Sequence, residues 1–545
     1  MVERMTGGQA LVAALKRQGI ETIFALPGVQ LDWAFDALYD SQDTIRIVHT
    51  RHEQATSYMA DGYARTTGRV GVCLVVPGPG LLNASAGLAT AYSCNSPVLC
   101  IAGQIQSDLI ERGRGMLHEI PHQLEMVRSV TKWAGRAMAP GEVPGLVAEA
   151  FRQLGTGRTR PVEIEIPPDV LQAQADVAPA DVVGAPQRPN GDPDLLEAAA
   201  KALGEAKSPI IFVGGGVISA GASESLRELA ELLQAPVVMT SNGKGALSSR
   251  HYLAQNTVGG RTLLPESDVV LVAGTRFVPG MNQNWGLRPD QTVIQLDIDP
   301  EEVGRNVPVA IGIVGDVKQG LGELAERVPR HNRKRDSRQE ELAGLKERID
   351  DLLFEVQPQA SFAQVLREEL PEDGILVNES TQVGYWSNLG FPVYQPRTFL
   401  TSGFQGTLGY GFATALGAQV GNPDKHVVSV NGDGGFMYNV QELSTAVRHN
   451  IPLTTVVFND NAYGNVRRIQ KQSFNGRTIA SDLLNPDFVK LAESFGMEGI
   501  RAGGPEELRT ALQRAMKNGQ PALIEVPVGE MPNMYHITRG GAVRR

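Results

Sequence analysis

The stretch Val427–Arg468, VVSVNGDGGFMYNVQELSTAVRHNIPLTTVVFNDNAYGNVRR, contains two apolar runs with a helix-like segment between them. The first run covers Val427–Val430 and ends at NGDGG, the helical pattern covers about Tyr438–His449, and the second run covers Leu453–Phe458 and ends at NDNAYG. A strand, a helix and a second strand of these lengths are typical of a βαβ crossover. The stretch therefore predicts an α/β fold in which both strand ends and their loops lie at one edge of a parallel sheet.

Each of the two strand ends carries an acidic residue. Asp433 lies in NGDGG and Asp460 lies in NDNAYG, so we expect the two carboxylates to lie close together. The glycines beside Asp433 leave backbone N–H groups uncovered at a helix start, where an anion is favoured. Two carboxylates and a loop carbonyl are oxygen ligands that suit Mg²⁺. The pattern predicts a diphosphate that a magnesium ion bridges to the protein; the alternative is a tight turn and an Asn-rich hairpin with no ligand.

The same residues resemble the signature of a known enzyme family. GDG at 432–434 and Asn-Asp at 459–460 are similar, in residue type and spacing, to the motif of thiamin-diphosphate enzymes such as acetohydroxyacid synthase, pyruvate oxidase and benzoylformate decarboxylase. The resemblance implies that Asp433, Asp460 and the carbonyl of Ala462 hold the metal. The family usually has Asn where this chain has Asp460, and the acid adds a negative charge.

Composition limits the other classes of function. The chain has 545 residues, more than one core usually supports, so two to four domains are expected. A net charge of −10 argues against a nucleic-acid or anionic-membrane binder. Apolar runs of about eighteen residues and a signal-type segment are both missing, which predicts a cytoplasmic protein. Cys73, Cys94 and Cys100 have no metal-like spacing and are expected to be buried reduced thiols.

Helix-like and strand-like segments alternate along most of the chain. This alternation predicts three doubly wound parallel-sheet α/β domains at 1–172, 193–330 and 359–545. A Pro-containing linker at 173–192 and a charged, helix-forming, solvated connector at 331–358 separate them. The strands predicted for the first two domains are Thr22–Ala25, Arg46–His49, Gly71–Val76, Val98–Ala102, Val162–Ile166, Pro209–Val213, Pro236–Met239, Val269–Ala273 and Val293–Ile298.

A glutamate stands at a helix start in the first domain. RHEQA at 51–55 and MADGYAR at 59–65 resemble the glutamate helix of the same enzymes, although such a residue is commonly only a surface charge that complements the helix dipole. The resemblance implies a pyrimidine-binding first domain in which Glu53 contacts N1′ of the aminopyrimidine. Proton exchange at N1′ converts the 4′-amino group to its imino form, which deprotonates the thiazolium carbon.

Three loops are expected to surround Glu53. Pro27-Gly28 matches the family's Pro-Gly pair, and PGPGLLN, which ends at Asn83, resembles the turn SGPGATN with proline in place of serine. GRGMLHE at 113–119 aligns with a substrate-side loop of acetohydroxyacid synthase and places His118 near the thiazolium. An imidazole there could donate or accept a proton; the alternative is a surface-loop histidine. His122 is a weaker candidate of the same type.

In the third, diphosphate-binding domain, NESTQ at 378–382 resembles the segment that contacts the diphosphate, and SGFQGTLG at 402–409 resembles SGGLGTMG. By that match the Gly406 carbonyl accepts the 4′-amino group, and Leu408 wedges the two cofactor rings into a V. The catalytic residues implied are Glu53, His118 and Leu408. The cofactor contacts implied are Pro27, Gly28, Glu53, Asn83, Thr381, Gln382, Gly406, Leu408, Gly432, Asp433, Gly434, Gly435, Asp460, Ala462, Tyr463, Gly464 and Asn465.

The central domain leaves the second cofactor open. GGG at 214–216 follows an apolar strand, and Gly274–Phe277 and Leu296–Pro300 resemble members that bind FAD, while other members bind a different nucleotide or none. FAD and an empty central domain are both compatible with the sequence. In the family the glutamate and diphosphate sites of one cofactor belong to different chains, so the resemblance implies a homodimer at minimum and commonly a homotetramer.

Two positions bear on the reaction. The second Arg of the family's RFDDR motif, which holds a substrate carboxylate in acetohydroxyacid synthase, falls at Gly280, and the Trp that favours 2-oxobutyrate falls at Ile469. Both differences favour a catabolic decarboxylase, carboligase or carbon–carbon lyase that acts on a small 2-oxo acid or ketone. The alternatives are acetolactate synthase proper, a flavin-dependent oxidoreductase like pyruvate oxidase, and a catalytically silent homologue.

Overall fold

The computed structural model describes residues 2–184, 188–278, 285–534 and 537. Its framework is three parallel sheets of six strands each. Apolar clusters cover both faces of the sheets, as a parallel sheet with helices on both sides requires. The predicted α/β class with three doubly wound sheets is confirmed. Among the described residues, no helix combines the length and the apolar character needed to cross a membrane.

The first sheet has the strand order β3-β2-β4-β5-β7-β6, and an antiparallel pair, β1 and β8, lies beside it. Its strands are β1 (Glu3–Thr6), β2 (Thr22–Ala25), β3 (Arg46–His49), β4 (Gly71–Val75), β5 (Val98–Gly103), β6 (Trp133–Arg136), β7 (Val162–Ile166) and β8 (Gln174–Val177). Its helices are α1 (Gly7–Arg17), α2 (Asp32–Tyr39), α3 (Glu53–Thr67), α4 (Pro79–Cys94), α5 (Gln123–Arg128), α6 (Val143–Gly155) and α7 (Pro168–Gln172).

The second sheet has the order β11-β10-β9-β12-β13-β14. Its strands are β9 (Pro209–Val213), β10 (Val237–Met239), β11 (Ala254–Gln255), β12 (Val269–Ala273), β13 (Thr292–Asp297) and β14 (Ile311–Val314). Its helices are α8 (Pro193–Glu205), α9 (Gly215–Ser219), α10 (Ser223–Leu233), α11 (Thr257–Leu263) and α12 (Val317–Arg327). The connector forms α13 (Gln339–Phe354), and Leu342, Leu345, Ile349 and Leu353 are buried. The connector is thus an amphipathic helix with one face in the core, and only its other face is solvated.

The third sheet has the order β16-β15-β17-β18-β20-β19. Its strands are β15 (Ile375–Asn378), β16 (Phe399–Thr401), β17 (Val427–Gly432), β18 (Thr454–Asn459), β19 (Glu498–Arg501) and β20 (Ala522–Pro527). Its helices are α14 (Gln359–Glu369), α15 (Gln382–Gly390), α16 (Tyr410–Gly421), α17 (Asp433–Phe436), α18 (Leu443–Arg448), α19 (Gly464–Ser473), α20 (Phe488–Ser494) and α21 (Pro505–Asn518).

The predicted βαβ unit forms, but its helix differs from the expectation. The helical segment begins at Asp433 itself rather than at Tyr438, and it is broken by a 3₁₀ segment, Met437–Glu442, whose Asn439 has non-helical angles. The break has a physical reason, because it lets the Asn439 amide donate to the carbonyl of Gly409 at 2.6 Å. The 3₁₀ segment that follows the Asp433 turn is therefore hydrogen-bonded to the 402–409 loop.

The first and third domains pack through α3 and α16. A Cβ atom at Gly62 would lie 2.0 Å from the Thr414 carbonyl oxygen, and one at Gly417 would lie 1.9 Å from the Met59 carbonyl oxygen. The two helices approach so closely that only glycine fits at these crossings. The helix that begins at Glu53 is thus fixed against the helix that follows the 402–409 loop.

The cysteines are all free thiols. Cys73 and Cys100 are buried, as expected, and lie opposite each other on β4 and β5. Cys94 is only partly buried, so the expectation of three buried thiols is wrong for this residue.

Candidate active site

Asp433 and Asp460 lie at the carboxyl ends of two adjacent strands. β17 and β18 are parallel neighbours, with Gly432 opposite Phe458, so the residues that follow these strands meet at one sheet edge. Burial raises the pKa of Asp433. Burial, followed by the charge of Asp433, raises the pKa of Asp460 to about 6. The structure therefore brings the two carboxylates together, as the crossover predicts.

Asn485 joins this group, although sequence reasoning missed it. Its side-chain amide donates to Asp433 Oδ2 at 2.6 Å, to Asn459 Oδ1 at 3.0 Å and to Asn461 Oδ1 at 3.3 Å. An isolated antiparallel β-bridge between Ala462 and Asp482 pairs the segment before Asn485 with the NDNAYG loop. The sequence offers no signal for Asn485, because it stands in an ordinary loop far from both motifs.

The oxygen atoms at this edge fit a magnesium ion. The described residues contain no cluster of three or more His, Cys, Asp or Glu side chains suited to a metal. A cation there would depend on the two carboxylates, on backbone carbonyls such as that of Ala462, and on amide oxygens. This all-oxygen set suits Mg²⁺, which keeps water and substrate oxygens as its other ligands. Two adjacent carboxylates repel each other, and a divalent cation would remove that repulsion.

Glu379 is a second residue that the sequence motifs did not single out. It is only 2% exposed, its Oε1 accepts from the Gly409 N–H at 2.7 Å, and burial raises its pKa to about 8. A Cβ atom at Gly435 would lie 2.4 Å from the same Oε1. A side chain at position 435 would thus displace this carboxyl, which connects the 402–409 loop to the Asp433 turn.

The other predicted residues of the third domain surround these groups. The Thr381 hydroxyl accepts from the Gly384 N–H at 2.8 Å and so caps α15, which begins at Gln382. A Cβ atom at Gly434 would lie 2.7 Å from the Tyr463 ring. Gly464 and Asn465 begin α19, directly after the NDNAYG loop.

The 402–409 loop presents Gly406 and Leu408. Gly406 is exposed with φ +61°, and Leu408 is half-buried. Between them the Thr407 hydroxyl lies 2.5 Å from the hydroxyl of Tyr58 on α3. This contact and the Gly409 bonds described above fix the loop from two sides.

Glu53 is the first residue of α3, as expected, and is half-buried. The Asn83 amide donates to Glu53 Oε2 at 3.0 Å. In the third domain, Glu442 accepts from the backbone N–H groups of Arg51 at 3.1 Å and His52 at 3.0 Å. The start of the helix is therefore anchored by Glu442, and the carboxyl orientation is set by Asn83.

The loops around Glu53 meet as the sequence predicts. Gly28 leads into a 3₁₀ turn that carries Gln30, and a Cβ atom at Gly78 would lie 2.2 Å from the His118 carbonyl oxygen. His118 Nδ1 lies 2.9 Å from Gln30 Oε1. The Pro27-Gly28 turn, the PGPG turn and the His118 loop are thus in mutual contact. His122 lies outside this group, because its exposed ring faces Glu125 at 3.8 Å.

A large cavity lies where the three domains meet, and the first domain contributes residues 93–95 and 157–159 to its lining. It has a volume of about 800 Å³, and its lining includes the loops at 214–216, 240–242 and 274–276 and, in the third domain, Ser380, Gly403 and Gly406. The glycine-rich turn predicted from the sequence therefore borders a cavity that reaches the 402–409 loop. Gly280 lies outside the described residues, and Ile469 is exposed on α19.

Three parallel-sheet domains, with a helix-initiating glutamate in the first and an acidic glycine turn in the third, define the class of thiamin-diphosphate-dependent enzymes. Comparison with known families agrees. Residues 5–126 match the N-terminal TPP-binding domain of the thiamine pyrophosphate enzymes, residues 196–324 match their central domain, and residues 379–526 match their C-terminal TPP-binding domain.

Curated relatives align over nearly the whole chain. The probable acetolactate synthase large subunit of Methanocaldococcus jannaschii is 36% identical, with 98% of this chain and 94% of the relative aligned. The acetolactate synthase large subunit of Haemophilus influenzae is 35% identical, with 99% of this chain and 98% of the relative aligned. The acetolactate synthase isozyme 3 large subunit of Escherichia coli is 32% identical, with 99% of this chain and 98% of the relative aligned. This chain belongs to the thiamine pyrophosphate enzyme family, and its resemblance to acetohydroxyacid synthase-like enzymes is confirmed.

Proposed function

We propose that this enzyme uses thiamin diphosphate and Mg²⁺ to cleave or join a carbon–carbon bond of a small 2-oxo acid or related ketone without net oxidation. The observation that carries the proposal is the pair of half-sites. One domain presents Glu53 held by Asn83, and another presents Asp433 beside Asp460 at the ends of adjacent strands.

Each half-site has its own task. Thiamin diphosphate, when bound, supplies a thiazolium carbon that acts as the nucleophile. Glu53 exchanges a proton with N1′ of the aminopyrimidine, and the Asn83 amide keeps its carboxyl in one orientation. Asp433, Asp460 and the Ala462 carbonyl would hold Mg²⁺. The Gly406 carbonyl would accept a hydrogen bond from the 4′-amino group, and the Leu408 side chain would pack against the bound cofactor.

A second copy of the chain would complete the site. Beside Glu53, the side chains of Val29, Leu82 and Leu117 are 60%, 45% and 62% exposed. Near the acidic half-site, Ile479 and Leu484 are also exposed, at 78% and 101%. Exposed apolar groups beside two half-sites are typical of a surface that another subunit covers. We therefore propose a homodimer in which each cofactor lies between two chains. Two such dimers would associate into a homotetramer.

The cavity of the central domain supports FAD as a second cofactor. Its volume of about 800 Å³ is within the range of cofactor sites. Arg188 and Arg276 line it together with the glycines of the 214–216 turn, and these groups suit a diphosphate. Flavin absorbance in the purified protein would support this assignment, and reconstitution that leaves no bound flavin would oppose it.

A substrate screen separates the candidate reactions. Candidate 2-oxo acids and acyloins are incubated with the enzyme, thiamin diphosphate and Mg²⁺, with Glu53→Gln as the inactive control. Decarboxylation, cleavage or ligation without flavin bleaching supports the proposal. Acetolactate formed from pyruvate alone identifies an acetolactate synthase, the candidate that the relatives' names favour. Substrate-dependent bleaching of a bound flavin indicates an oxidoreductase instead. A chain that binds thiamin diphosphate but turns over nothing contradicts all three.

A further inference from the structure

Gln30 makes two contacts with the loop that carries His118. It is 7% exposed and lies in the turn that follows Gly28. Its Nε2 donates to the carbonyl of Leu117 at 3.0 Å. Its Oε1 lies 2.9 Å from Nδ1 of His118. The buried Gln30 amide therefore hydrogen-bonds to two consecutive residues of the loop.

These contacts determine which nitrogen of His118 carries the proton. A backbone carbonyl can only accept a hydrogen bond, so the Gln30 atom that faces Leu117 must be the NH₂ group. The Gln30 atom that faces His118 is then the carbonyl oxygen, which also can only accept. Nδ1 of His118 must donate to it. The neutral imidazole consequently has a bare Nε2.

We infer that Gln30 is a positioning residue that holds His118 in the Nδ1–H tautomer and so makes Nε2 a proton acceptor at the mouth of the active site. The sequence left His118 open as donor or acceptor, and the Gln30 contacts select the acceptor. A proton would pass from a substrate hydroxyl to Nε2, the bonding pair would stay on the oxygen, and the ring would become an imidazolium. This inference rests on the function proposed above.

The backbone around His118 is fixed from several sides. His118 has φ +68°, a left-handed conformation that is uncommon for residues other than glycine, although histidine adopts it more often than most. Its carbonyl packs against Gly78, whose N–H donates to the Gln123 side chain at 2.9 Å. Gln123 in turn donates to the buried Glu165 at 2.6 Å. These contacts support the loop backbone in addition to the Gln30–Leu117 bond, and the carbonyl oxygen of Gln30 orients the His118 ring.

The site lies close to the proposed proton-exchange residue. A Cβ atom at Gly80, two residues after Gly78, would lie 3.6 Å from Glu53 Oε1. The PGPG turn thus contacts His118 at one end and borders Glu53 at the other. His118 and Glu53 therefore border the same short turn, so the histidine belongs to the half-site of the proposed proton-exchange residue.

The direct test is ¹⁵N NMR of histidine-labelled enzyme at a pH where His118 is neutral, with the His118 signal assigned from the His118→Ala spectrum. We expect a protonated Nδ1 and a bare Nε2 in the wild type, and loss of that preference in Gln30→Met. A wild-type ring with its proton on Nε2 would overturn the inference. The measurement needs no substrate, so it stands even if the proposed reaction is wrong, and the wild-type spectrum decides the matter even if Gln30→Met does not fold.

Kinetics test the consequence. Gln30→Met should lower kcat about tenfold or more with thiamin diphosphate affinity unchanged. The double variant Gln30→Met/His118→Ala should be no slower than His118→Ala alone, because the inferred effect of Gln30 on turnover passes through the His118 ring. The matched control is Gln42→Met. It removes an exposed hydrogen bond from a glutamine amide to a backbone carbonyl, that of Tyr39, and should leave kcat unchanged. Additive losses in the double variant, or equal effects of Gln30→Met and Gln42→Met, would overturn the inference.

Discussion

The two halves of the active site differ in how far one chain completes them. In the third domain, Asp433 and Glu379 are each 2% exposed and are held by the Asn485 amide and the Gly409 N–H. In the first domain, Glu53 is only half-buried beside exposed leucines. In the half that would hold the metal and diphosphate, contacts within one chain already bury and orient the side chains. In the half that would exchange protons, the side chains stay partly exposed, and a second subunit could cover them. Mutations in the third-domain half should therefore weaken cofactor binding, whereas mutations at Glu53 should slow catalysis without weakening binding.

Asp433→Ala should have the largest effect. It removes a carboxylate from the metal site and leaves the diphosphate charge uncompensated, so thiamin diphosphate should no longer be retained. Calorimetric titration of the cofactor in the presence of Mg²⁺ measures this. Asp176→Ala, which removes an exposed acid that faces Arg4 on the β1–β8 pair of the first domain, serves as the control and should bind normally. Unchanged affinity in Asp433→Ala would refute the metal assignment.

Glu53→Gln should stop catalysis while leaving binding intact. Gln can still hydrogen-bond but cannot exchange a proton, so hydrogen–deuterium exchange at the thiazolium carbon and turnover should both slow by orders of magnitude. Exchange is followed by NMR of the bound cofactor, and Glu125→Gln, at an exposed position, is the control. Wild-type exchange in Glu53→Gln would mean that another group activates the cofactor.

Glu379→Gln should change the pH dependence of stability. Burial raises the folded-state pKa of Glu379 to about 8, so its contribution to stability is present below its unfolded pKa of about 4.5 and is lost as the pH rises through 8. The melting temperature of the apoprotein should fall between pH 5 and pH 9 in the wild type more steeply than in the variant. Parallel curves for the two proteins would show that Glu379 is ionised in the folded state.

Asp460→Asn should have the smallest effect. It restores the usual family residue and removes the repulsion from Asp433 that contributes to the raised pKa of Asp460. Affinity for thiamin diphosphate should stay within roughly tenfold, or about 1.4 kcal/mol. Calorimetry under the conditions used for Asp433→Ala provides the comparison. Complete loss of binding would show that the second carboxylate has a separate role.

The sequence predicted those features that depend on local pattern. Thr22–Ala25, Arg46–His49, Val162–Ile166, Pro209–Val213 and Val269–Ala273 form strands within the predicted bounds, because short apolar runs between turn residues have a strong local signal. The closeness of Asp433 to Asp460 also followed, since parallel strand ends always share an edge.

Features that depend on distant contacts could not be predicted. Asn485 reaches Asp433, and Gln30 reaches Leu117 and His118, across separations in sequence that carry no pattern. The break in the helix at Asn439 arises from its bond to Gly409 in another loop. Such pairs are set by tertiary packing rather than by propensity or spacing.

The most direct test of the account is complementation between two inactive variants. If each site combines Glu53 of one chain with Asp433 of the partner subunit, a mixed dimer of Glu53→Gln and Asp433→Ala chains has one intact site and one doubly altered site. Co-expression of the two chains with different tags, followed by tandem purification, isolates this mixed dimer. We predict that its turnover is about half that of the wild type, because one of two sites is whole. If both residues of a site came from the same chain, every site would carry one lesion and the mixed dimer would be as inactive as its parents.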